Sequence, residues 1–242
     1  MSNNLYSHID GRRDLVIDDK LSSISKDLEA VVFDLDGTLV DTLKDLSNSV
    51  NYALEKFGFN KRTYEEYLTF IGNGSRVLVS KAIGREVSEK LFKEVFDTYL
   101  DYYEHHLVVE SHPYEGIKPF LARLKERGIK IACLTNKPHN AAKTIIEELF
   151  PNTFDIVLGN SSKVKTKPDL EGYDYILKTL NVCSENVMYC GDSDVDMIVG
   201  RNAKVNSLVA CAYGYRPVDE LLKYNPDYVL QSSLDFEKID LN

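Results

Sequence analysis

The sequence predicts an α/β fold: a mostly parallel sheet covered on both faces by helices, with an all-helical insertion after the first strand. Three observations predict it. From residue 116 onward, short apolar runs alternate with amphipathic helical patterns, as they do where crossover helices join parallel strands. An earlier β-branched run, Val31-Val32-Phe33, stops on two aspartates, a glycine and a threonine, and open α/β sheets present their chemistry at the carboxyl ends of strands. The next strand begins only near Ile129. That gap is far too long for one crossover helix.

Residues 1–26 are polar and mixed in charge, with Leu15-Val16-Ile17 as their one apolar cluster, and read as a loosely held N-terminal extension. After the acidic turn, Leu43, Leu46, Val50, Ala53, Leu54 and Phe57 mark one face of a helix that Gly58 ends. Thr63-Tyr64-Glu65-Glu66 is a capping box opening a second helix. Ile71-Gly72-Asn73-Gly74-Ser75 breaks it, and Arg76 resumes a helix to Ile83. Ser88 caps a long helix reaching about His106, whose stripe of Leu91, Phe92, Val95, Phe96, Tyr99 and Tyr103 reads as core packing.

Pro113-Tyr114-Glu115-Gly116 punctuates the return to alternation. A helix over 116–127 ends at Gly128, a strand over 129–134 ends in Thr135-Asn136-Lys137-Pro138, and a helix covers 140–150. A strand over 156–158, a helix over 170–180 and a strand over 187–190 follow. The last ends in Gly191-Asp192-Ser193-Asp194-Val195-Asp196. A short helix to about Arg201 and strands over 208–211 and 228–230 complete the chain. The predicted organisation is an extension (1–26), an α/β core (27–46 and 112–242) and a helical cap (47–111). The cap emerges beside the acidic turn, where it is placed to act as a lid.

Composition narrows the function. Over 242 residues, 28% charged and 43% hydrophobic residues are those of an ordinary globule able to bury a sizeable core. A net charge of −9 argues against nucleic acid and acidic membranes as partners. No apolar run approaches the roughly 20 residues of a membrane span, and no signal-peptide core opens the chain. Cys133, Cys183, Cys190 and Cys211 form no Cys-x-x-Cys pair. They read as reduced thiols of a cytoplasmic protein rather than a zinc site. The sequence says nothing of oligomeric state.

Three strand ends carry polar clusters: Asp34/Asp36, Thr135/Asn136 and Asp192/Asp196. Parallel strands bring all three to one sheet edge, where Lys165 and Lys167 can also reach. Asp34 and Asp36 lie two residues apart, on one side of an extended chain. Taken alone, the pair is equally a strand end that caps the next helix. Same-side carboxylates at a buried strand end become tolerable around Mg²⁺, which prefers oxygen ligands and shares its shell with phosphate. One carboxylate can then attack phosphorus while another moves the proton of the leaving group.

Four segments make a resemblance plain. Asp34-Leu35-Asp36-Gly37-Thr38-Leu39-Val40-Asp41, Leu134-Thr135-Asn136-Lys137-Pro138, Lys167-Pro168-Asp169 and Gly191-Asp192-Ser193-Asp194-Val195-Asp196 resemble the four motifs of the haloacid dehalogenase superfamily. Within it they resemble the phosphoglycolate phosphatase group. Leu170 stands where the family often has a second proline. The resemblance implies a Rossmann-like three-layer sandwich and a Mg²⁺-dependent phosphatase for a small phosphate monoester, 2-phosphoglycolate first, through an aspartyl-phosphate.

The resemblance also implies roles. Asp34 is nucleophile and metal ligand, and Asp36 is general acid/base and gives its backbone carbonyl to the metal. Asp192 is a metal ligand with Asp196 supporting it from behind. Thr135 and Asn136 hold the phosphoryl group, Gly37 and Thr38 offer it backbone N–H groups, and Lys167, which precedes a proline, neutralises charge. The loop at Asn73, Gly74 and Arg76 is similar to the lids of that group. Arg76 could pair with a substrate carboxylate, or be a surface arginine after a helix break. His105, His106, His112 and His139 read as surface residues. A pyrophosphatase, a sugar-phosphate phosphatase or phosphoglucomutase, and a non-catalytic phosphate-binding protein are the alternatives.

Overall fold

The computed structural model describes residues 27–162 and 164–241; the predicted extension over 1–26 lies outside them. The first strand, β1 (Ala30–Phe33), pairs in parallel with β4 (Lys130–Pro138) on one side and β6 (Val187–Gly191) on the other. β5 (Ile156–Asn160), β7 (Ser207–Cys211) and β8 (Tyr228–Leu230) complete a six-stranded parallel sheet of order β5-β4-β1-β6-β7-β8. Alternation along β1 explains the layers. Val31 and Phe33 enter one core with Phe120, Ile145 and Phe236, while Ala30 and Val32 enter the other with Tyr173, Met197 and Leu221. Helices α5 (Ile117–Glu126) and α6 (His139–Leu149) therefore cover one face, and α7 (Glu171–Leu180), α8 (Asp194–Ala203) and α9 (Val218–Leu222) the other.

Between β1 and α5 the described chain forms α1 (Leu43–Lys56), α2 (Tyr64–Leu68), α3 (Ser75–Ile83) and α4 (Glu89–Glu104). Thr63 and Glu66 close the predicted capping box at α2, and the Ser88 hydroxyl accepts the Leu91 N–H at α4. Val95, Tyr99 and Tyr103 of α4 are buried against Val50, Ala53 and Leu54 of α1, so the aromatic stripe is core.

Two strands escaped the sequence. Val40–Asp41 (β2) and His112–Pro113 (β3) pair antiparallel where the helical segment leaves and re-enters the sheet; two-residue strands carry no period to read. Buried Asp45 fastens the same junction. Its carboxylate accepts the Val109, Glu110 and Ser111 N–H groups and the Ser111 hydroxyl at 2.7–3.1 Å.

β4 also runs longer than expected. Its register shifts after Leu134 and pairing resumes at Pro138 with Asn160, so Thr135, Asn136 and Lys137 continue as buried extended chain past the sheet edge.

Candidate active site

The acidic turn is built by its own backbone. The Leu35 carbonyl accepts the N–H groups of Thr38, Leu39 and Val40, and the Gly37 N–H donates to the Val40 carbonyl. Gly37 is required twice over. Its φ is +80°, and a Cβ there would lie 2.2 Å from Asp192 Oδ2. This closure corrects one expectation: the Gly37 and Thr38 N–H groups are spent inside the turn and do not face an anion. The Thr38 hydroxyl turns to Asp192 Oδ1 at 3.3 Å.

Three aspartates converge from two strand ends. Ligand oxygens of Asp34, Asp192 and Asp196 lie within 4.8 Å of one another, all buried. Their partners divide their roles. Asp196 is saturated: Oδ1 takes Lys167 Nζ at 2.7 Å and the Tyr189 hydroxyl at 3.1 Å, and Oδ2 takes the Ser193 N–H and hydroxyl. Among the described residues Asp192 receives only the Thr38 hydroxyl and the Tyr215 N–H at 2.7 Å, so it keeps acceptor capacity. Asp34 spends Oδ1 on the Leu35 N–H at 2.7 Å and Lys167 Nζ at 2.9 Å, leaving Oδ2 without a donor among the described residues.

Lys167 is the fixed cation of this floor. Its three donors meet Asp34, Asp196 and the Leu134 carbonyl at 2.7–2.9 Å. Burial alone lowers an ammonium's pKa, but the two carboxylates outweigh burial and raise it. One cation does not balance the group. Burial, then Asp196 and Asp36, push the Asp34 carboxyl up to about 7 against the pull of Lys167. Burial, then Asp34 and Asp196, raise Asp192 as well. Surplus negative charge, spare carboxylate oxygens and an all-oxygen donor set fit a hard divalent cation such as Mg²⁺. Asp34 and Asp192 have the free oxygens to hold one; Asp196 does not.

Asp36 faces the same cavity. Its Oδ1 takes Lys137 Nζ at 2.8 Å and the Thr42 hydroxyl, and Oδ2 has no donor among the described residues. Thr135 lines the cavity beside Asp34. Its oxygen accepts the Lys137 N–H at 3.2 Å, and its hydroxyl proton has no acceptor among the described residues. The Asn136 side chain is instead occupied. It accepts the Lys167 N–H at 2.7 Å and donates to the Lys167 and Gly72 carbonyls at 3.1 and 3.2 Å. It ties the lysine loop to the helical segment.

The structure does not bring the lid residues together. Gly74 lines the cavity. Asn73 sits at an outer recess with Asp194 and Arg216. Arg76 points away from the cavity: its exposed guanidinium pairs with Glu89 and lies 4.5 Å over the Phe92 ring. The arginine that does line the cavity is Arg216, which donates to the Ile71 carbonyl at 2.6 Å. Nothing in the sequence marks it beyond its place after a strand. Lys137 had a signal. It stands two residues from Thr135, hence on the same side of extended chain. No histidine among the described residues lines the cavity.

A family model for haloacid dehalogenase-like hydrolases matches residues 31–210, which carry all four of the segments that make the resemblance. The chain belongs to the haloacid dehalogenase-like hydrolase family. A phosphoglycolate phosphatase of Colwellia psychrerythraea is 33% identical over 209 residues, 83% of this chain and 91% of that protein. One of Haemophilus influenzae is 34% identical over 205 residues, 81% and 91% of the two chains. The crystal structure of a predicted phosphoglycolate phosphatase from Haemophilus somnus superimposes with a TM-score of 0.80 at 29% identity, covering 88% of this chain and 98% of that one. Like those relatives, this member of the family is an enzyme of the phosphatase type. None of the described helices is long and apolar enough to cross a membrane.

Proposed function

We propose that this hydrolase removes phosphate from 2-phosphoglycolate, with Mg²⁺ held by Asp34, Asp192 and the Asp36 backbone carbonyl. The observation that carries the reading is the pair of carboxylate oxygens left without donors among the described residues, Asp34 Oδ2 and Asp36 Oδ2, on one cavity wall. Asp34 Oδ2 attacks phosphorus and forms the O–P bond of an aspartyl-phosphate, while the bond to the leaving oxygen breaks. Asp36 gives its proton to that oxygen, then takes one from the water that attacks phosphorus. This step frees Asp34 and releases inorganic phosphate. The Thr135 hydroxyl donates to a phosphoryl oxygen, and Lys167 offsets charge on Asp34. The metal, when bound, neutralises charge on the phosphoryl oxygens.

In this reading residues 47–111 form a cap over a core of 27–46 and 112–242, and the Gly72 carbonyl on Asn136 holds the cap against the floor. The relatives of the same name at 33% and 34% identity support the choice of substrate. Free thiols at Cys133, Cys190 and Cys211 support a cytoplasmic setting.

The test is phosphate release from 2-phosphoglycolate, pyrophosphate, glucose phosphates and simple phosphate esters, with Mg²⁺ and with chelator. Selective, Mg²⁺-dependent release from 2-phosphoglycolate is expected. A sugar phosphate or pyrophosphate turned over faster would overturn the substrate, and activity surviving chelation would overturn the metal.

A further inference from the structure

Lys137 is a buried cation for which the mechanism has no use. Its side chain is 2% exposed, yet it belongs to the cavity wall. Its ammonium meets Asp36 Oδ1 at 2.8 Å and lies 4.9 Å over the ring of Tyr103 in α4. One carboxylate oxygen and one aromatic face do not satisfy three N–H donors. Lys167, the other buried lysine of the site, has an oxygen for each of its three. The difference is the mark of a cation kept for something that enters.

The geometry says what enters. Lys137 and Thr135 are two residues apart on β4 and both line the cavity, where Lys137 Nζ sits on Asp36. A molecule whose phosphoryl group sits at Asp34 and Thr135 therefore places a second group, one or two carbons away, toward Lys137. The cavity is lined by apolar Leu46, Ile71 and Leu78 as well as by Ser75, Tyr99 and Arg216. Against the apolar part of that wall a charged partner matters to an incoming anion.

We propose that Lys137 is the specificity-determining residue. Its ammonium leaves Asp36 to bind the substrate's second anionic group, a carboxylate, so that only an acid-bearing phosphate ester both fills the cavity and frees Asp36 from its ion pair. This rests on the substrate class proposed above. It replaces Arg76 with a cation that the cavity holds.

The experiment compares kcat/KM for 2-phosphoglycolate with that for 2-hydroxyethyl phosphate, which carries a hydroxymethyl in place of the carboxylate. It uses the Mg²⁺-loaded full chain as wild type, Lys137→Gln and Lys137→Arg. Wild type is expected to prefer the acid. In Lys137→Gln that preference falls about 10- to 100-fold, the scale of one charge-assisted hydrogen bond. The fall is carried mainly by KM for the acid, and Lys137→Arg restores most of the preference. Equal losses on both substrates would overturn the proposal, since Lys137 would then serve Asp36 alone. So would an unchanged preference. A wild type preferring the neutral ester sinks the substrate reading itself. Should Lys137→Gln not fold, Lys137→Met, which keeps the length and loses the charge, decides: a raised KM confined to the acid supports the proposal, and an equal change on both esters contradicts it.

Discussion

The floor of the site and the helical segment above it are built on opposite plans. On the floor, polar side chains are buried and bound to one another: Lys167 joins Asp34 to Asp196, and Ser193 and Tyr189 complete Asp196. In the helical segment the buried groups are mostly apolar, and charged pairs such as Arg76 with Glu89 and Lys93 with Asp97 stay in solvent. Over the cavity, core and segment meet at hydrogen bonds from Asn136 to Gly72 and Arg216 to Ile71, while Asp45 fastens the strand junction behind it. The difference teaches where chemistry resides. A preorganised floor fixes charge before substrate arrives, whereas a segment held by few polar ties can move without dismantling it.

Breaking the floor at its reactive oxygen gives the largest expected effect. Asp34→Asn should cut turnover about 10⁴-fold or more, as loss of a covalent nucleophile does, while circular dichroism stays native because the amide removes charge from a crowded acidic cluster. Near-normal turnover would move the nucleophile elsewhere. Next comes the buried ion pair. Asp196→Ala strands Lys167 with one carboxylate, and urea unfolding should show a loss of about 3–5 kcal/mol.

The electrostatics of the floor can be read through pH. The Asp34 carboxyl is raised from 3.8 to about 7, so the metal-free fold binds a proton that the unfolded chain has lost. That contribution is fully present below pH 3.8 and disappears as pH rises through about 7. Mg²⁺ competes with the same proton. The rise in melting temperature on adding Mg²⁺ should therefore be several degrees larger at pH 8 than at pH 6, and Asp34→Asn should flatten this difference. An equal rise at both values would place the cation away from Asp34.

The smallest effect belongs to the exposed side of the comparison. Arg76→Ala should shift stability by less than about 1 kcal/mol, as exposed pairs do, and leave kcat/KM within about twofold. A large rise in KM would return Arg76 to the cavity.

The same contrast explains what the sequence made legible. The floor was readable because strand ends concentrate signal: Asp34, Asp36, Thr135, Asp192 and Asp196 each follow or flank an apolar run, and a parallel sheet must bring such ends to one edge, while Lys167 was marked by the proline that follows it. The helices were readable from their caps and apolar spacing, as at Thr63 and Ser88. Contacts decided by long-range packing were not. Whether Arg76 or Arg216 reaches the cavity depends on how α3 and the loop after β7 pack, which no local pattern encodes. The turn at Gly37 was visible, but that it spends its own N–H groups depends on the Val40 and Leu35 carbonyls. The extension of β4 through Lys137 depends on pairing with Asn160, across a register shift that periodicity does not show.

The most direct test of the central claim, that Asp34 captures phosphorus, is mass spectrometry of enzyme acid-quenched during turnover of 2-phosphoglycolate. One phosphoryl group on the peptide bearing Asp34, absent from Asp34→Asn, is the predicted result. Phosphate released by active enzyme that never carries that group on Asp34 would contradict it.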